Sequence, residues 1–167
     1  MKLPSGTPLI RHEPVKKGLL PSLLSRLPRP FNGYLAVTGL GYNGVEEGIY
    51  LVDNDMVTHA YYVHLRFLHE EWGDSALPLT FKTFFSRGVN LDAVEFTPPK
   101  LKLTATFNEQ AQLTRPFPLL KLPSLLPEGY TKDHVVSIMK LLPIDELNHL
   151  RKLIEVGLSF GKKEELG

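Results

Sequence analysis

Residues 33–63 read GYLAVTGLGYNGVEEGIYLVDNDMVTHAYYV, and they decide the fold. Tyr34 to Thr38, Glu47 to Val52 and Met56 to Val63 are rich in β-branched and aromatic residues, the composition of strands. Between the second and third lie Asp53, Asn54 and Asp55, residue types that tolerate the left-handed backbone of a tight turn. Between the first and second lie Gly39 to Gly44. Connections this short cannot carry a parallel crossover, so the three segments pair as an antiparallel meander.

Working outward, Leu19, Leu20, Leu23, Leu24 and Leu27 recur at helical spacing, and Pro28 and Pro30 stop the run. Residues 1–18, punctuated by Pro4, Pro8 and Pro14, read as an extended lead-in. Downstream, Asp74 to Ser86 places Ala76, Leu77, Phe81, Phe84 and Phe85 on one helical stripe, and Arg87-Gly88 ends it. Val89 to Phe96 and Leu101 to Phe107 read as two further strands. In the second, Leu101, Leu103, Ala105 and Phe107 alternate with Lys102, Thr104 and Thr106, as in a strand wet on one face. Residues 108–130, with Pro116, Pro118, Pro123 and Pro127, read as a surface linker. Thr131 to Leu141 and Ile144 to Val156 make a helical pair broken at Pro143. The expected organisation is an α+β sheet domain over 1–107, a Pro/Leu-rich linker over 108–130, and a C-terminal helical pair over 131–167. In fold class this is an antiparallel sheet of about five strands with helices packed on one face.

Composition narrows the function. Hydrophobic residues make up 43% of the 167-residue chain and charged residues 22%, enough for a packed core and too balanced for disorder. With 19 basic and 18 acidic residues the net charge is +1, which demands neither nucleic acid nor an anionic membrane. The chain has no cysteine, so disulfides, thiolate metal sites and a cysteine nucleophile are excluded. Met1 to Lys17 does not read as a signal peptide, and no stretch is apolar enough to insert in a membrane. A cytoplasmic location is expected, and 14 prolines with no cysteine would suit a thermophile.

Motifs with chemical content meet plainer readings. Gly39-x-Gly41-x-x-Gly44 matches a dinucleotide-binding pattern, but that chemistry needs a helix opening at the last glycine, and a strand follows here. His59, His64 and His69, beside Glu70 and Glu71, suggest a metal. A five-residue step alternates faces on a strand and turns by about 140° on a helix, so the three imidazoles do not converge. Asp53 and Asp55 belong to the turn and lack the further oxygen ligands of a calcium loop. No nucleophile elbow or phosphate loop is present. No catalytic residue, cofactor site or metal site is expected. Leu-Pro-Ser-Leu-Leu occurs at 20–24 and again at 122–126; it reads either as an echo of a duplication or, as five residues rich in leucine and proline favour, as chance.

The stretch from about residue 19 to 96 resembles the N-terminal domain of PatA-type response regulators, or an archaeal relative of it. The resemblance rests on Leu20 to Leu27, Gly33-Tyr34-Leu35, Ile49-Tyr50-Leu51-Val52-Asp53 and Met56-Val57-Thr58-His59-Ala60. It continues at Gly73-Asp74-Ser75-Ala76-Leu77 and Gly88. It implies a scaffold for protein contacts near signalling or motility machinery, with no known active site to carry over.

The expectation is therefore a non-enzymatic interaction module with a protein partner or a homodimer. Leu119, Leu120, Leu122, Leu125 and Leu126 are the expected contact residues, being hard to bury in so small a fold. Two alternatives stand beside it. One is nucleic-acid binding on the sheet face through Tyr34, Tyr61 and Tyr62, helped by basic pairs such as Lys100/Lys102. The other is an enzyme pocket beside His59, Asp53 and Glu71.

Overall fold

The computed structural model describes residues 1–16 and 18–142. Residues Met1–Thr131 form one compact unit, and a second begins at Lys132. The expected second C-terminal helix, Ile144 to Val156, lies outside the described residues.

The fold is α+β, built on one antiparallel sheet. Its strands are β1 (Thr7–Pro14), β2 (Gly33–Gly41), β3 (Gly44–Asp53), β4 (Met56–His64), β5 (His69–Trp72), β6 (Arg87–Glu95) and β7 (Gln112–Pro118). The order across the sheet is β1-β6-β2-β3-β4-β5, and β7 pairs with β4 beside β5. The meander over residues 33–63 is antiparallel as expected, but the first two strands run on through the expected loop Gly39 to Gly44, with Gly41 facing Gly44, so that only Tyr42 and Asn43 turn; Asp53 faces Met56 at the second turn. Gly44 opens a strand, which leaves no helix terminus for a pyrophosphate. The second turn works as its composition requires: Asn54 and Asp55 both take positive φ, 49° and 63°. The Asp55 carboxylate accepts the Phe31 N–H and pairs with Arg29, so it is used within the turn.

Alternation assigns each side chain to a face. Leu35, Val37, Tyr50, Val52, Tyr62, Leu91 and Ala93 point to the first face and are buried there. That face is covered by α1 (Leu20–Ser25), by α2 (Leu77–Thr83) and by the buried Leu119 and Leu122, the latter opening the short helix α4 (Leu122–Leu125). Helix α2 sits close because Gly48 has no side chain: a Cβ there would lie 2.9 Å from Thr80 Cβ and 3.1 Å from its Cα. Phe81 and Phe84 can then stack on Tyr50, with ring centroids 6.3 and 6.4 Å away. Gly48→Ala pushes the helix off the sheet, and we expect it to cost about 1–3 kcal/mol. A thermal melt checks this; an unchanged midpoint contradicts the close approach.

The sheet has seven strands where about five were expected. The lead-in contains β1, whose pairing with β6 is interrupted at two places, as is usual for a protected edge strand. The expected strand Leu101 to Phe107 is instead helix α3 (Pro98–Phe107). The alternation there is equally an i, i+4 pattern, and Pro98 and Pro99 after an extended Thr97 favour a helix start. Helix α3 lies on the second face of the sheet, where Leu101 packs with Leu51 and Phe96. The segment 108–130 is not a free linker. Its prolines fit β7 because that strand runs at the sheet margin and pairs irregularly with β4. In the second unit α5 (Asp133–Leu141) matches the expected first C-terminal helix.

Candidate protein-docking site

The two Leu-Pro-Ser-Leu-Leu stretches take the same local form. Each opens a helix with proline in its first turn, where the missing N–H is not needed. Each buries its first leucine, Leu20 or Leu122. The first face brings the two turns to one place. Leu20 and Pro21 from one, Pro123 and Leu126 from the other, and Phe84 and Phe85 beyond α2 line a cavity of about 610 Å³. Lys16 and Glu128 also line it, both exposed. The repeat is therefore a structural pair, which its five residues alone did not reveal.

The expected contact leucines divide. Leu119 and Leu122 are fully buried in the core, correcting the premise that they could not be accommodated. Both join the main core on the first face, in one cluster with Leu20, Leu23 and Leu24 of α1. Leu126 is half-buried and lines the cavity. Leu120 and Leu125 remain exposed, at 58% and 42%.

Among the described residues, a concentrated polar cluster lies elsewhere, beneath the β2–β3 hairpin. Alternation places Glu46 on the first face with Gly48 and Tyr50, and the helical stripe places Lys82 above it. Lys82 Nζ lies 3.2 Å from Glu46 Oε1, and both side chains are buried. Tyr130 donates its hydroxyl hydrogen to the same Oε1 at 2.6 Å and accepts the Tyr42 N–H at 2.7 Å. The ammonium also sits over the Tyr62 and Tyr130 rings, 5.5 and 4.9 Å from their centroids. This cluster was missed in the sequence, though Glu46 on a core-facing register position was a legible signal. It joins hairpin, helix and residue 130, and its burial keeps its charges from solvent.

The histidines are dispersed as the spacing argued for two of the three. His59 faces the second side of the sheet and His64 the first. His69, however, pairs directly with His64 across the β4–β5 hairpin, because a turn separates them and not a continuous strand. His69 Nε2 contacts Glu71 Oε1 at 3.1 Å. Glu71 is on the first face, so the pocket group of His59, Asp53 and Glu71 is not assembled. Tyr62 is buried on the first face, while Tyr34 and Tyr61 share the second with Glu47, Glu70 and Asp92. That surface suits neither base stacking by all three tyrosines nor a phosphate backbone.

His64 gives a pH signature. Its Nε2 donates to the Tyr42 carbonyl at 3.0 Å. Burial holds its pKa below the ordinary 6.5; the Tyr42 bond and Glu46 oppose the shift, and Lys82 adds to it. Because the unfolded chain binds the proton first, the stability His64 confers is full above pH 6.5 and declines as pH falls toward the folded pKa. His64→Gln keeps an N–H donor and is expected to flatten the fall in urea midpoint below pH 6.5. An unaltered slope contradicts this.

In comparisons with known proteins, no family model matches the chain, and neither a curated protein nor a solved structure shows significant similarity to it.

Proposed function

We propose that the chain is a non-enzymatic protein-interaction module that pairs with a second copy of itself through the cavity between the two Leu-Pro-Ser-Leu-Leu turns. The observation that carries this is the cavity itself: about 610 Å³, with leucine, proline and phenylalanine walls from the two Leu-Pro-Ser-Leu-Leu turns and the residues just beyond α2. Leu19 and Leu125, each next in sequence to a lining residue, are exposed and can enter a partner's cavity. The rim favours a like partner. Lys16 and Glu128 form no ion pair among the described residues and provide one charge of each sign around an apolar centre. A two-fold axis sets each lysine against the other copy's glutamate, making the patch self-complementary. The resemblance of residues 19–96 to PatA-type N-terminal domains supports the same reading and implies a role near signalling or motility machinery. Burial of Glu46, Lys82 and His64 supports a role without catalysis.

Sedimentation velocity across a concentration series tests the pairing. The wild-type chain is expected to shift from monomer to dimer, and Leu125→Glu to remain monomeric with an unchanged circular dichroism spectrum. A wild-type chain that stays monomeric at the highest concentration overturns the reading.

A further inference from the structure

Helix α3 is apolar on two sides. Its inner side buries Leu101 beside Thr104. Its outer side carries Pro99, Leu103 and Phe107 at i, i+4 and i+8, so the three align along one face. Leu103 is 57% and Phe107 68% exposed, far from what a surface helix needs for solubility. Alongside runs the segment Lys2 to Pro4. Asn108 holds it in place through two hydrogen bonds with the Lys2 backbone, an N–H donated to Oδ1 at 2.9 Å and a carbonyl accepting from Nδ2 at 2.8 Å. Between helix and segment lies a groove of about 660 Å³, floored by Leu3, Pro4, Pro99, Leu103 and Phe107. Both charged residues that line it, Lys2 and Lys100, are lysines.

We propose that this groove docks an amphipathic helix of another protein, one with carboxylates beside its apolar stripe. Charge complementarity selects the sign: an apolar floor edged by lysines favours an acidic flank and repels a basic one. The backbone selects the form. Helix α3 uses its own amides internally, and on the opposite wall the Lys2 amide and carbonyl are taken by Asn108 and Pro4 has no N–H, so the groove offers an extended peptide no continuous strand edge. A helix brings its hydrogen bonds already satisfied and needs only a side-chain surface. From Pro99 to Phe107 the floor runs about 12 Å at 1.5 Å per residue, room for anchors at i, i+4 and i+7 of a partner helix. This surface is on the second face of the sheet and the self-pairing cavity on the first, so either can fail without the other.

The probe is a fluorescein-labelled 18-residue helical peptide with leucines at i, i+3, i+4 and i+7 and glutamates on the flanking positions. Its twin carries lysines in place of the glutamates, and both are titrated with the full chain by fluorescence anisotropy. The acidic peptide is expected to bind at least tenfold more tightly than the basic one. Phe107→Glu and Leu103→Glu, both at exposed positions, are expected to weaken it tenfold or more. The Lys2→Glu/Lys100→Glu double variant should reverse the preference, whereas Leu125→Glu should leave it unchanged. Equal binding of the two peptides, no binding of either, or indifference to Phe107→Glu overturns the proposal. So does a shift of Leu103→Glu from dimer to monomer in sedimentation, which assigns the groove to a second copy.

Discussion

Lys82→Met is expected to destabilise the chain by about 3–5 kcal/mol, because it leaves the Glu46 carboxylate buried without its cation. The pair lies 3.2 Å apart with side-chain exposures of 4% and 0%, so water cannot replace the lost ammonium. The hydroxyls of Tyr130, at 2.6 Å, and of Tyr62 remain beside the carboxylate, but neutral hydrogen bonds do not replace a cation. For a chain of 167 residues the loss corresponds to a fall of about 6–20 °C in Tm. Removing the charge as well restores most of the stability: Glu46→Leu/Lys82→Met has no uncompensated ion and fills the space with apolar atoms. A single variant as stable as the wild type, or a double variant no better than the single, shows that the pair is not enclosed as described.

Leu122→Ala is expected to cost about 2–5 kcal/mol in chemical denaturation, and Leu125→Ala less than about 0.5 kcal/mol. The two leucines sit three residues apart in one short helix, yet Leu122 is fully buried and Leu125 is 42% exposed. The first loses packing against the core and leaves a cavity; the second loses only surface. The contrast separates stability from docking, because Leu125→Ala should weaken self-pairing while leaving the fold intact. Equal costs at the two positions would mean that α4 is oriented otherwise.

What could be read from the sequence follows from how local the determining forces are. The meander over residues 33–63 was legible because its turns are built from Asn and Asp in left-handed geometry, and adjacent strands need only short loops. Helix α3 was not, because four residues alternating in twos also fall four apart, and only the prolines at its start break the tie. Strand β7 was hidden by Pro116 and Pro118, which are permitted at a sheet margin but argue against a strand in isolation. The Lys82–Glu46 pair spans 36 residues of sequence: the core-facing register of Glu46 hints at a buried acid, but nothing local names Lys82 as its partner. The docking cavity needed both Leu-Pro-Ser-Leu-Leu turns to arrive together, a fact of tertiary packing. Of the expected contact leucines, composition identified the segment, while the division into buried Leu119 and Leu122 and exposed Leu120 and Leu125 came from the fold.

Two surfaces on opposite faces of one sheet make a bivalent arrangement. Self-pairing through the first face would present two copies of the α3 groove, and a partner with two acidic helices would then bind with avidity beyond that of either contact.

The most direct test of the self-pairing at the centre of this account is a charge swap at the rim. Lys16→Glu sets two glutamates against each other across a two-fold axis, and Glu128→Lys sets two lysines. Each variant alone is predicted to dimerise about tenfold more weakly than the wild type. An equimolar mixture restores both opposite-charge contacts and is predicted to recover the wild-type association in sedimentation equilibrium. Variants that associate like the wild type on their own, or a mixture that recovers nothing, contradict the account.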